Sequence, residues 1–220
     1  MPASAPCQER SPPGPDVIRV DEDGNRARNV DTDTRCNGMQ HEVQRRFMRA
    51  EIYWISGLEP GRLAILGRPR AGDWLDDEIA DWKSAGVTDV VSLLEDHEMR
   101  ELDLTQEGEI AGRIGICFER FPIPDRGVPA SFQAAHSLWS RLATKIRAGQ
   151  SVGVHCRAGI GRSGLIVAGT LVHLDIPDHE AWGRTTRARG IPVPDTEQQR
   201  EWLDRALSTW VQHRRKGPNV

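Results

Sequence analysis

The chain has one tyrosine, Tyr53, and aromatic residues make up only 5% of its 220 positions. Its four cysteines, Cys7, Cys36, Cys117 and Cys156, are scattered, so neither a disulfide framework nor the paired spacing of a zinc site can be drawn from them. No apolar run reaches the ~18 residues a membrane-spanning helix needs, and the N-terminus lacks the basic-then-apolar pattern of a signal peptide. Charge of one sign is also missing: 29 basic and 32 acidic residues leave a net charge of −3. That balance gives no general attraction to nucleic acid or to an anionic membrane. A nucleotide-binding P-loop, G-x-x-x-x-G-K-[ST], is absent too. With Gly161 as its second glycine, the first falls on Cys156 and the lysine on Arg162, which excludes an ATPase or GTPase of that kind. The expectation is a soluble, cytoplasmic, monomeric protein needing no metal and no cofactor, with any cation for an anionic ligand supplied locally.

The local supply lies in Val152-Gly153-Val154-His155-Cys156-Arg157-Ala158-Gly159-Ile160-Gly161-Arg162-Ser163-Gly164. A short β-branched run ends at a cysteine, five residues follow, and an arginine and a serine open a long apolar helical run. Strand, tight loop and helix N-terminus in that order aim backbone N–H groups at one point, where the helix dipole also favours an anion. Helix N-termini and nearby cations lower a thiol's pKa, so Cys156 is the candidate nucleophile. Gly159 and Gly161 let the backbone approach a ligand closely. Arg162 offers a planar fork for two anionic oxygens. Ser163 is placed to donate to the sulfur, and His155 to orient the loop through hydrogen bonds. By contrast, Cys117, inside Ile114-Gly115-Ile116-Cys117-Phe118, reads as a buried core residue.

His155-Cys156-x5-Arg162-Ser163 resembles the signature of the cysteine-dependent protein tyrosine and dual-specificity phosphatases. Phe121-Pro122-Ile123-Pro124-Asp125-Arg126-Gly127-Val128-Pro129 resembles that family's mobile acid loop. Arg189-Gly190 with Asp195-Thr196-Glu197-Gln198 resembles the segment that closes the site in compact dual-specificity-like members. The likeness spans about Ile52 to Val211. It implies a metal-independent phosphomonoester hydrolase acting on phosphoproteins through a phosphocysteine on Cys156. The phosphate would be held by the backbone of Arg157, Ala158, Gly159, Ile160, Gly161 and Arg162, with Asp125 as the acid. It also requires an accessible sulfur with Arg162 turned toward it. Pro124-Asp125-Arg126-Gly127 is equally a good turn sequence. Gln198 resembles the residue that positions the hydrolytic water, while Asp195-x-x-Gln198 also reads as a capping box. Arg189 could contact the acid loop or the site rim, or simply end a helix favourably, and Arg157 could widen the positive rim or point to solvent. A rhodanese-like sulfurtransferase, an arsenate reductase and a non-catalytic phosphate-binding module are the alternatives. The first two would not need Asp125, and the third would not need the full set of Cys156, Arg162 and Asp125. With Tyr53 the only tyrosine, no aromatic wall deepens the pocket for phosphotyrosine alone.

Along the chain, residues 1–47 are rich in Pro, Ser, Asp and Arg without periodicity and read as a disordered tail, with Val17-Ile18-Arg19-Val20 its one apolar cluster. Residues 48–213 read as the phosphatase-like domain and 214–220 as a short basic tail. Strands are expected at Ile52–Ile55, Leu63–Leu66, Asp89–Leu94, Ile116–Phe121 and Ser151–His155. Helices are expected from Asp73 to Gly86, from Pro129 to Gly149, from Arg162 to Leu174, from Pro177 to Gly190, and through Trp202, Leu207 and Trp210. The acidic stretch Glu95-Asp96-His97-Glu98 reads as a solvated helix start. This alternation implies an α/β architecture of three layers, a mostly parallel sheet of about four or five strands with helices on both faces. Ligands of such sheets bind at the carboxyl ends of the strands, where Cys156 stands.

Overall fold

The computed structural model describes residues 50–216, with side chains to Ser208. The expected tail 1–47 and residues 217–220 lie outside the described residues, as do the side chains of Trp210 and Val211. Five strands form one sheet: β1 Ile52–Trp54, β2 Arg62–Leu66, β3 Asp89–Ser92, β4 Cys117–Arg120 and β5 Ser151–His155, in the spatial order β1-β2-β5-β3-β4. Only β1 runs antiparallel, against β2; β2, β5, β3 and β4 pair in parallel. The strand ending at Cys156 is therefore the central one. Every residue of β5 is buried, as befits a central parallel strand covered on both faces.

Seven helices are described: α1 Leu75–Ser84, α2 Asp96–Glu101, α3 Glu107–Ile114, α4 Phe132–Arg147, α5 Gly161–His173, α6 Asp178–Arg189 and α7 Glu197–Lys216. One apolar core joins Leu63, Ile65, Val152 and Val154 of the sheet to α4, α5 and α7. The other joins Ala64, Leu66 and Val90 to α1 and α3. Alternate residues of each central strand thus feed opposite layers, as strand geometry requires. Trp82 and Trp139 are fully buried, one in each core, and truncating either would cost about 3–5 kcal/mol. Helix α5 takes Trp139 at very close range: a Cβ on Gly169 would fall 2.2 Å from Cε2 of that indole. Against the same indole, His136 Nε2 lies 3.0 Å from the Ala206 carbonyl and His173 Nδ1 lies 2.9 Å from that of Gly169. The remaining nitrogens of the two rings face each other at 3.3 Å.

Several expectations shift. Helix α4 begins at Phe132 rather than Pro129, because Ser131 caps it by accepting from the Ala134 amide. Helix α3 has no counterpart in the sequence reading. The last helix continues through Lys216, past the boundary expected at 213. Cys117 is exposed, not core: β4 is the edge strand, and Val90 and Val91 of the neighbouring β3 fill the interior instead. No helix among the described residues is long and apolar enough to cross a membrane.

Candidate active site

Strand β5 delivers Cys156 to the carboxyl edge of the sheet, and α5 starts at Gly161. Between them, Gly159 has φ +66, a conformation that a side chain would strain. The first amides of α5 have no carbonyl one turn back to bond, so they are available to a ligand in front of the sulfur. The Ser163 hydroxyl lies 3.5 Å from Cys156 Sγ. Cys156 keeps only 2% of its surface exposed. The sequence reading requires an accessible sulfur, and the structure leaves this residue little exposed.

Arg162 is turned inward and is itself almost fully buried. Its two terminal nitrogens grip Glu98 at 2.6 and 2.9 Å; one also donates to the Ile123 carbonyl at 3.0 Å and the other to Asp125 at 2.8 Å. Burial opposes the charge on Arg162, but the Glu98 hydrogen bonds and the negative field of Cys156, Glu98 and Asp125 outweigh it and hold the guanidinium pKa above its ordinary value. Burial likewise opposes the Glu98 carboxylate, yet the Arg162 hydrogen bonds and the Glu95 amide win and hold its pKa below the usual carboxylate range. The solvated-helix reading of Glu95–Glu98 therefore needs correction. Helix α2 does start there, and Asp96 and His97 are exposed, but Glu98 is turned into the site and fastens the arginine.

Asp125 sits in the Pro124–Gly127 turn, closed by Gly127 N–H on the Pro124 carbonyl at 2.8 Å, with Arg126 at φ +55. The backbone there is a turn, and the half-exposed carboxylate faces Arg162. His155 points to the opposite layer. Its Nε2 lies 2.9 Å from Glu107 Oε1, both side chains fully buried, although the approach lacks hydrogen-bond alignment. The Trp82 ring lies beside it with centroids 5.9 Å apart. Helix α3 thus brings a carboxylate that sequence reasoning missed, because nothing local marks Glu107 as inward-facing.

Two further residues brace the loop. Arg189 donates to the carbonyls of Gly159 at 2.8 Å and Ala158 at 3.3 Å and lies over the Tyr53 ring at 4.3 Å, which places it at the loop rather than merely at a helix end. Gln198 is exposed and does not face the loop. Its neighbour Gln199 is fully buried, donates to the Gly127 carbonyl at 2.9 Å, and packs where a Cβ on Gly161 would stand, 2.7 Å from its Oε1. The cap is Thr196, whose hydroxyl accepts from Gln199 N–H at 3.2 Å while Gln199 Oε1 accepts from Thr196 N–H at 3.3 Å. The capping box is therefore one residue later than Asp195-x-x-Gln198, and that shift turns Gln199 inward. Arg157 is exposed and forks onto Glu101 at 2.7 and 3.3 Å. Among the described residues no cluster of three or more His, Cys, Asp or Glu side chains is arranged to hold a metal ion.

A nearly buried cysteine under a helix N-terminus, an inward arginine and a facing aspartate, at the carboxyl edge of a mostly parallel sheet, define a phosphatase of the protein tyrosine and dual-specificity class. A family model described as "Polymorphic toxin system, DSP-PTPase phosphatase" matches residues 65–177, and the chain belongs to that family. A curated relative, cyclin-dependent kinase inhibitor 3 of Rattus norvegicus, is 26% identical over 131 residues; the match covers 59% of this chain and 61% of the relative. The chain thus spans about three fifths of that relative's length. Among solved structures, a kinase-associated phosphatase with its catalytic cysteine replaced by serine superposes with a TM-score of 0.63 at 21% identity, covering 71% of this chain and 93% of that one. The active form of Tk-PTP superposes with a TM-score of 0.57 at 26% identity, covering 70% and 95%.

Proposed function

We propose that this protein hydrolyses phosphomonoesters on phosphoproteins through a phosphocysteine at Cys156. The observation that carries the reading is the geometry of Arg162, inward beside the sulfur, locked by Glu98 and bonded to Asp125. In the first step the Cys156 thiolate attacks phosphorus in line with the ester oxygen. The P–O bond breaks as an S–P bond forms, and Asp125 gives its proton to the departing alkoxide or phenoxide. The amides from Arg157 to Arg162 and the Arg162 fork hold the equatorial oxygens. In the second step Asp125, now a carboxylate, takes a proton from water as the water attacks phosphorus. The thiolate then leaves, steadied by Ser163. Gln199, bridging Gly161 and Gly127, replaces Gln198 as the residue placed to steer that water. Arg189 holds the loop in shape through the Gly159 and Ala158 carbonyls, whereas His155, expected to orient the loop by hydrogen bonds, packs against Glu107 and Trp82 in the opposite layer and makes no hydrogen bond to the loop.

With Tyr53 the chain's one tyrosine, the pocket is read as shallow, open to phosphotyrosine and also to phosphoserine and phosphothreonine. A reducing compartment such as the cytoplasm suits a working thiolate. The test is metal-free hydrolysis of phosphotyrosine and phosphothreonine peptides by the wild type and by Cys156→Ser. Turnover lost in the serine variant, with phosphate trapped on the wild-type enzyme by acid quench, is the expected result. Persulfide formation from thiosulfate without phosphate release would instead identify a sulfurtransferase.

A further inference from the structure

Between the segment leaving β2 and the first residues of the phosphate loop lies a cavity of about 410 Å³. Arg68, Arg70 and Arg157 line it together with Glu51 and Glu78, and Ala158 forms its border with the loop. Four of these five charges are already answered within the protein. Arg70 donates to Glu78 at 2.5 Å, Arg157 is forked onto Glu101, and Glu51 accepts from the Tyr53 hydroxyl at 2.9 Å. Arg68 differs: it is exposed and makes no hydrogen bond or ion pair among the described residues. Its guanidinium is a planar fork suited to a carboxylate.

The cavity's distance from the reacting sulfur can be bounded. Ala158 is two residues beyond Cys156, so their Cα atoms are at most about 8 Å apart. An extended peptide advances about 3.3–3.6 Å per residue, so a side chain two or three residues from a phosphoresidue seated over Cys156 reaches the cavity. We propose that this cavity is a second anionic subsite, in which Arg68 receives the carboxylate of an acidic residue flanking the phosphoresidue of a peptide substrate. A carboxylate is favoured over a second phosphoryl group because Glu51 and Glu78 share the cavity and would repel a dianion more strongly. The inference rests on the phosphatase reading and narrows it, giving the substrate a chemical class: phosphopeptides with acidic flanks.

The experiment compares kcat/KM for phosphotyrosine peptides carrying Glu, Ala or Lys two and three residues to either side, alongside p-nitrophenyl phosphate, which has no flank. The wild type is expected to prefer the Glu peptide over the Ala peptide by about two- to fivefold, the range of a solvent-exposed ion pair. The preference should shrink as NaCl rises and screens the pair. Arg68→Ala should collapse the preference, and Arg68→Glu should invert it toward Lys, with p-nitrophenyl phosphate turnover staying within about twofold. No preference in the wild type, an equal or larger gain from a second phosphoryl group, or a preference undiminished in Arg68→Ala would overturn the subsite. Absence of Cys156-dependent turnover on every substrate, p-nitrophenyl phosphate included, would instead overturn the phosphatase reading beneath it.

Discussion

Replacing Asp125 should do two opposed things at once. Its carboxylate accepts from Arg162 at 2.8 Å, on the same terminal nitrogen that already serves Glu98. With Glu98 and the Ile123 carbonyl also bound, few donors of the guanidinium are left for a phosphate, so an incoming anion competes with Asp125 for the fork. Asp125 is 56% exposed on its side chain, which puts the pair in the range of exposed ion pairs, about 0–1 kcal/mol. Removing the competitor in Asp125→Ala should therefore tighten the binding of inorganic phosphate or vanadate, by up to about fivefold. The same change deletes the proposed general acid and should lower kcat on a phosphotyrosine peptide by roughly 10²–10⁴. Arg162 keeps Glu98, so the fold should be little disturbed; Asp125→Asn, which can still accept from the guanidinium, should show less of the tightening with the same loss of kcat. The measurements are the inhibition constant for vanadate, kcat on the peptide, and thermal melting. Weaker anion binding in Asp125→Ala would refute the competition, and an unchanged kcat would refute the acid.

Three further outcomes follow from the same geometry. Glu98→Ala leaves Arg162 buried without its main partner and should cost about 3–5 kcal/mol in denaturant unfolding. Because the Glu98 pKa is held below its usual range, its contribution is present above about pH 4.3, the ordinary value, and is lost as pH falls through the lower native value. An acid titration of near-UV circular dichroism should accordingly show a shallower loss in Glu98→Gln than in the wild type. Gln199→Ala should slow breakdown of the phosphoenzyme in a pre-steady-state burst, on the order of tenfold or more, whereas Gln198→Ala should stay within about twofold because its side chain is exposed. Glu107→Ala empties a fully buried position beside His155 and should cost about 1–3 kcal/mol in denaturant unfolding, and an unchanged midpoint would refute a packing role for it.

What could be read from the chain alone was what is continuous in it. Val152 to Gly164 carries strand, loop and helix start in one run, and the local rules for each agree, so the positions of the sulfur and the arginine are legible in the chain alone. Asp125 was legible because its turn chemistry and its neighbouring prolines are also local. Glu98 and Glu107 were not, since each lies in a polar stretch whose inward face is chosen by a partner tens of residues away, Arg162 in one case and His155 in the other. Sequence alone does not tell which of Gln198 and Gln199 turns inward: adjacent residues on a helix point about 100° apart, and the helix start is fixed by Thr196 rather than Asp195. Cys117 misled for a related reason: apolar surroundings in sequence do not reveal that a strand is at the sheet's edge.

The two imidazoles packed on Trp139 have a consequence in proton counting. A carbonyl can only accept, so the nitrogen on each ring that meets one must carry hydrogen. Two neutral rings would then turn bare lone pairs toward each other across 3.3 Å. Which nitrogen of each ring carries hydrogen therefore decides how α4, α5 and α7 are held together around the indole, and any substitution of either ring reaches all three helices at once.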